Sequence, residues 1–357
     1  EFFHLPAKTD VLHDFIKAQI ELLDRMGMES LPGPRIAWAW AYLSEAAVLG
    51  YEATGELRFI DAALRVSRLA YANTDEKLGI NDDFDREGVR GWGFHHYKKT
   101  TREHTMAGRI IAPMIRLAMA IRDTEISQPL RDEIEAHASQ GVDILRTYLP
   151  YQVIDGHRRY FDYIFTGEQD AFNHIAVYAL AASYAYELTG DTAFRDFTVG
   201  FRSYFFSHVT EGENGAYAWD YQVLSDPNAR HRSPFWKEAI TVSALVYMGD
   251  GGIDVGGKDK IGLIRGFDGY ILRKNATVYA RMGTDDFPYT GYNLLLSDFT
   301  NAQLFTHYMT LDRWAPAIRG KILTTMASRT DLFPEGLLAS FSSAVPYAHM
   351  LRYPAKR

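Results

Sequence analysis

The run Tyr51-Glu52-Ala53-Thr54-Gly55-Glu56-Leu57-Arg58-Phe59 returns, without a gap, as Tyr186-Glu187-Leu188-Thr189-Gly190-Asp191-Thr192-Ala193-Phe194. In each copy an alanine-rich stretch precedes the run, at 41–50 and 176–185, and an amphipathic stretch follows from Phe59 and Phe194. Gly55 and Gly190 fit the left-handed position that ends a helix. The acidic residue after each glycine stands where the next helix starts, and negative charge is favoured there. Each copy therefore reads as helix, tight turn, helix. A third such pair is expected over 105–148, with its turn near 123–128 and Pro113 kinking or dividing its first helix. Helical patterns recur over 234–248 and 292–309. Between them, 249–286 is glycine-rich with short β-like runs, and reads as a small irregular or β-containing insertion.

Repeated helical pairs stack into a solenoid or close into a ring. The fold expected is all-α, an (α/α) toroid of helical hairpins. No Pro/Ser-rich linker divides the 357 residues, so residues 1–357 read as one domain. The pattern alone does not separate a closed ring from an open solenoid.

Composition limits the function. The net charge of −7 argues against non-specific nucleic-acid binding. No stretch has the length and apolarity of a membrane span. There are no cysteines, so disulfides and thiolate metal sites are excluded. The chain begins at Glu1 rather than Met, and a secreted or periplasmic protein relieved of its signal peptide is expected. The aromatic share is 14%, which suits wide helix–helix seams first and a carbohydrate groove second. Nucleotide-loop and Gly-x-Ser-x-Gly signatures are missing, so those chemistries are set aside.

Three local clusters interrupt the acidic background and would suit an anionic ligand. They are His95-His96-Tyr97-Lys98-Lys99 with Arg102 and His104, then His157-Arg158-Arg159, then Arg230-His231-Arg232 with Lys237. The repeat marks one position near them. Counting back 135 residues, Asn173 and His174 stand opposite Trp38 and Ala39, so the scaffold accepts an apolar pair there. Asn173-His174 opens a helix expected to be capped by Asp170, and a helix N-terminus offers unpaired N–H groups to a carboxylate. The stretch Tyr217–Gln222, followed by Arg230, His231, Arg232, Trp236 and Glu238, alternates aromatic and basic residues in a loop-like setting. Trp219 would stack on a sugar, and the arginines would pair with carboxylates. Trp92, His95, His96, Arg102 and His104 form a third candidate contact group. Adjacent histidines diverge and no HExxH spacing is present, so no metal and no cofactor are expected.

In these features the chain resembles the (α/α)-toroid polysaccharide lyases that cleave uronic-acid polymers such as glucuronan and alginate, in particular polysaccharide lyase family 38. The resemblance is carried by Asn173-His174 opening an Ala/Tyr-rich helix and by the Tyr- and Arg-containing stretch 217–232, and the hairpins extend it over 35–250. It implies a catalytic set of Asn173, His174, Tyr221 and Arg230, with an anionic polysaccharide as partner and β-elimination as the reaction. Asn173, His174 or an Arg would neutralise the uronate carboxylate, while Tyr221, with Tyr217 in reserve, acts as base or acid. A neighbouring Arg230 or Arg232 is expected to lower the tyrosine pKa, and His174 is the alternative base. Trp219, Tyr217, His231, Arg232, Glu238, Trp92, His95, His96, Arg102 and His104 would contact substrate. The family pattern places a Tyr shortly after an Arg; 217–232 has the reverse order, whereas Arg273 and Tyr279 follow it. An inverting hydrolase on the same toroid would need two carboxylates from among Asp83, Asp85, Glu168, Asp170, Asp220 and Glu238. A uronyl epimerase or a non-enzymatic glycan-binding protein are the other readings.

Overall fold

The structure is a computed structural model describing residues 7–25, 33–80, 86–96, 99–225, 234–273, 277–278, 303–330, 333, 338 and 340–354. Its helices alternate between an outer and an inner layer. The outer ones are α1 (Thr9–Arg25), α3 (Leu57–Ala72), α5 (Gln128–Arg146), α7 (Thr192–Ser207), α9 (Gly257–Gly266) and α11 (Ala317–Ser328). The inner ones are α2 (Ala41–Thr54), α4 (His104–Ala120), α6 (Phe172–Thr189), α8 (Phe235–Tyr247), α10 (Phe305–Arg313, a 3-10 helix) and α12 (Phe341–Arg352). A π-helical turn, Ile36–Trp40, leads into α2. Each inner helix packs on the next, and α12 packs on α2. The ring is closed.

The two matched runs make the same turn. The Gly55 and Gly190 N–H groups donate to the Tyr51 and Tyr186 carbonyls, both at 2.7 Å, with φ of 71° and 73°. Thr54 and Thr189 repeat a second pair of bonds: each hydroxyl donates to the carbonyl four residues back, and each accepts the N–H of the acidic residue two ahead, at 3.2 Å in both copies. Asp191 caps α7 through the Ala193 N–H, whereas Glu56 makes no side-chain cap. Pro113 lies inside α4 without dividing it. The 249–286 stretch is only partly irregular. It contains the outer helix α9, and a β hairpin of Leu272–Arg273 with Thr277–Val278.

Inner helices approach one another closely where glycine permits. A Cβ on Gly108 would stand 2.5 Å from the Tyr178 Cα and 2.7 Å from its backbone nitrogen, so α4 and α6 meet backbone to backbone there. Aromatic rings fill much of the rest, as in the Phe161, Tyr178 and Phe197 cluster, with centroids 4.9–5.0 Å apart. Burying each such ring contributes about 1.5–3 kcal/mol.

Alternation of the layers gives the ring two unlike ends. Inner-to-outer connections are short, including 55–56, 190–191 and 314–316. Outer-to-inner connections are long and, among the described residues, carry four two-stranded hairpins: β1 (Gly93–His96) with β2 (Lys99–Arg102), β3 (Val153–Asp155) with β4 (Arg158–Tyr160), β5 (Thr210–Glu211) with β6 (Tyr217–Ala218), and β7 (Leu272–Arg273) with β8 (Thr277–Val278). The short-turn end is stopped by an ionic plug to which every inner helix or its C-terminal extension contributes. Arg116 of α4 holds Glu52 of α2 at 3.0 Å, Asp250 beyond α8 at 2.8 Å and the Tyr184 hydroxyl of α6 at 2.9 Å. Arg352 of α12 reaches Glu52 and Asp250, and Arg313 of α10 reaches Asp250.

Candidate active site at the loop-bearing end of the ring

All inner helices start at the end that carries the long loops, so their positive N-terminal dipole ends face one mouth. His104 is the first residue of α4, Asn173 and His174 are the second and third of α6, and Lys237 and Glu238 lie in the first turn of α8.

Asp170 organises the centre. Its N–H donates to the Phe161 carbonyl at 2.9 Å, which fixes the loop before α6. The helix N-cap is Ala171 rather than the expected Asp170. Asp170 instead accepts on one oxygen from the Ala171 N–H at 2.6 Å and from His174 Nδ1 at 2.9 Å. Its other oxygen lies 3.3 Å from His104 Nε2, without hydrogen-bond geometry. Burial alone would raise the Asp170 carboxyl, but His174 and the Ala171 N–H outweigh it and hold the pKa low. An ionised carboxylate only accepts, so Nδ1 of His174 carries the hydrogen and Nε2 faces away. His104 is pushed down to about 3 by burial, stays neutral, and stacks on Phe161 at 4.2 Å.

Around this pair stand groups from four other segments. Tyr221 lies edge-on to His174, with ring centroids 6.3 Å apart, and its carbonyl accepts the Phe172 N–H at 3.1 Å, fastening the 217–225 loop to the start of α6. Burial, then Asp170, Tyr163 and Glu103, raise the Tyr221 pKa, the reverse of the expected lowering. The Lys237 ammonium sits 5.9 Å from the ring of half-buried Trp38 and 6.0 Å from that of Tyr221. Burial lowers its pKa, opposed by Asp170. Glu103, the N-cap residue of α4, makes no side-chain cap; burial pushes its carboxyl up to about 7, against His174 and Arg86. Asn173 is 1% exposed, and neither atom of its amide has a hydrogen-bond partner.

The structure brings Asn173, His174, Tyr221, His104 and Glu238 to this end of the ring. It withdraws four other expected contacts. Trp219 is 1% exposed and packed edge-on against Phe205, so it is a core residue rather than a sugar platform. Tyr217 donates to Asp259 at 3.0 Å, and its ring fills the space left by Gly262 on α9. Trp92 is buried, its indole N–H bonded to the Ala70 carbonyl at 2.7 Å. Arg102 is spent on Asp75 at 2.9 Å and on the Val89 carbonyl, clamping the loop beneath β2. His95 and His96 occupy β1 opposite Thr100 and Lys99. Arg230, His231, Arg232 and Tyr279 lie outside the described residues, as do Asp83 and Asp85; Arg273 is described only as part of β7. Glu103, Lys237 and Trp38 were not singled out as site residues. Lys237 was visible as the end of a basic cluster, and Trp38 as the repeat partner of Asn173.

A closed ring of paired helices with a cluster of titratable and aromatic groups at the inner-helix N-termini defines the class of fold. No protein-family model matches the sequence, and no curated protein matches it either. Among solved structures the chain is similar to a sugar epimerase from a ruminal bacterium, with a TM-score of 0.56 at 9% identity over 90% of this chain and 88% of that one. It is also similar to a polysaccharide lyase, with a TM-score of 0.53 at 10% identity over 96% of both chains. A third is a family 76 α-mannanase of Bacteroides thetaiotaomicron, with a TM-score of 0.52 at 12% identity over 88% and 86%. These likenesses establish the all-α toroid fold. No described helix is long and apolar enough to cross a membrane.

Proposed function

We propose that the protein is a secreted or periplasmic glycan-processing enzyme, and within that class a polysaccharide lyase that cleaves a uronic-acid polymer of glucuronan or alginate type by β-elimination. The observation that carries the reading is His174, held by Asp170 through Nδ1 at 2.9 Å and standing beside Tyr221 where the inner-helix N-termini converge.

In this reading the uronate carboxylate lies among Asn173, Lys237 and the positive helix ends, which acidify the C5–H bond by stabilising the enolate-like transition state. His174 Nε2 takes the C5 proton, and Asp170 stabilises the imidazolium that results. The electron pair of the C5–H bond forms the C4–C5 double bond as the C4–oxygen bond breaks. Tyr221, whose raised pKa keeps it protonated, gives its proton to the departing oxygen. The tyrosine is thus the acid and the histidine the base. Trp38 replaces Trp219 as the aromatic wall for a sugar ring.

A hydrolase is the second reading, favoured by one observation: the Glu103 carboxyl is pushed up while that of Asp170 is held down, the split that an acid and its partner require. Incubation with a panel of polyuronates separates the two. A rise in ultraviolet absorbance from the unsaturated product supports elimination, and chain shortening without it supports hydrolysis. Epimerisation leaves chain length unchanged. If none of these products forms from any polyuronate, both the elimination reading and its anionic substrate are wrong.

A further inference from the structure

Glu103 has no structural use that accounts for its position. It sits at the N-cap of α4, where a side chain ordinarily accepts a backbone N–H, yet it makes no such bond. It is 5% exposed, and its Oε1 has no hydrogen-bond partner. Leaving a buried carboxyl oxygen unpaired is unfavourable, so the fold tolerates it at a cost. The charged and titratable groups within electrostatic reach of it include Arg86, Tyr148, Asp170 from the loop before α6, His174 from α6 and Tyr221 from the 217–225 loop. Its chain neighbour His104 lies against Asp170.

We propose that Glu103 is a binding residue of the same site, and that its carboxylic acid donates a hydrogen bond to the carboxylate of the bound uronate. The inference rests on the elimination reading and adds to it. A neutral acid at this point donates to the substrate carboxylate without repelling it. As C5 loses its proton, charge builds on the carboxylate oxygens, and the same hydrogen bond strengthens with it. No covalent step involves Glu103; its proton stays on its own oxygen. The raised pKa of about 7, due first to burial and then opposed by His174, agrees with an acid that is neutral below neutrality.

The substitution that tests this is Glu103→Gln, because an amide keeps a donor but cannot ionise. Two readouts are needed: the pH profile of kcat/KM on a polyuronate, and the affinity of the wild type and the variant for D-glucuronate by calorimetry. Wild-type activity and affinity are expected to fall about tenfold per pH unit above about 7. Glu103→Gln keeps activity within about tenfold of wild type near pH 6 and loses that alkaline limb. Glu103→Ala, which has no donor, loses about 100-fold or more. If Glu103→Gln is as inactive as Glu103→Ala, Glu103 must transfer a proton, and the inference is overturned. An alkaline limb unchanged in Glu103→Gln overturns it equally. Glucuronate affinity with the expected pH dependence, but no elimination product, retains the inference and removes the lyase reading. Elimination with pH-independent affinity does the opposite.

Discussion

Arg116→Met tests whether the ionic plug holds the ring together. The guanidinium is 2% exposed and bonds Glu52, Asp250 and Tyr184 at 2.8–3.0 Å, with its carbon 4.7 Å from the Tyr247 ring centroid. Burial disfavours its charge, but Glu52 and Asp250 outweigh that and raise its pKa, so it is charged at every working pH. Methionine keeps a side chain of similar length against Tyr247 and removes only the charge and the donors. Breaking a buried pair by deleting one partner costs about 3–5 kcal/mol. Arg352 still reaches both carboxylates and Arg313 still reaches Asp250, each about a fifth exposed, which places the loss near the lower bound, about 3 kcal/mol. For a chain of this length that lowers the melting temperature by about 4 °C. Calorimetry of Arg116→Met, Glu52→Gln and the double variant gives the coupling, which should exceed about 1 kcal/mol. A loss below about 1 kcal/mol in Arg116→Met would refute the claim that the plug contributes to ring stability.

Three further outcomes are expected. If the elimination reading holds, Asp170→Asn should lower the rate by about two to four orders of magnitude while leaving far-ultraviolet circular dichroism unchanged, because an amide can donate to Nδ1 as well as accept from it and no longer fixes the His174 tautomer or stabilises its imidazolium; an unchanged rate removes His174 as base. Gly108→Ala should destabilise by about 1–3 kcal/mol despite alanine's better helix propensity, since the backbone of Tyr178 blocks the methyl, whereas Gly320→Ala, with nothing within 4 Å, should be neutral or gain up to about 1 kcal/mol. Glu103 ordinarily titrates at 4.5 and is pushed up to about 7, so the native state binds the extra proton and stability falls as pH rises between those values, by about 3 kcal/mol in total. Urea unfolding of Glu103→Gln at pH 5 and pH 8 should show that fall removed.

The hairpins were legible because their signal is local. A glycine in the left-handed conformation, a threonine bonded back into the helix and an acidic residue ahead of it all lie within three positions. Ring closure was not legible, because it depends on α12 meeting α2, and neither helix encodes that contact in its own pattern. In the site, Asn173 and His174 were visible as a departure from the repeat. The groups proposed to act with them come from separate stretches: Glu103 before α4, Lys237 on α8, Trp38 in a π turn. No spacing rule connects those. Trp219, Tyr217 and Trp92 were misread for a related reason. An aromatic beside basic residues has the same local signature whether it faces a groove or anchors the loop to the core, and here burial against Phe205, α9 and Ala70 decides for the core.

The contact between α2 and α12 has a consequence for biosynthesis. The first inner helix, at 41–54, leaves the ribosome nearly 290 residues before α12, the helix at 341–352 that packs on it. Until then α2 lacks a packing partner, the Trp40 ring just before it lacks the Phe341 ring 5.4 Å away, and the nascent ring is an open crescent with two sticky ends. Each end is complementary to the other, within one chain or between two. Nascent chains crowded together can therefore close on one another, and a chaperone that shields α2 until α12 is made would act on this seam.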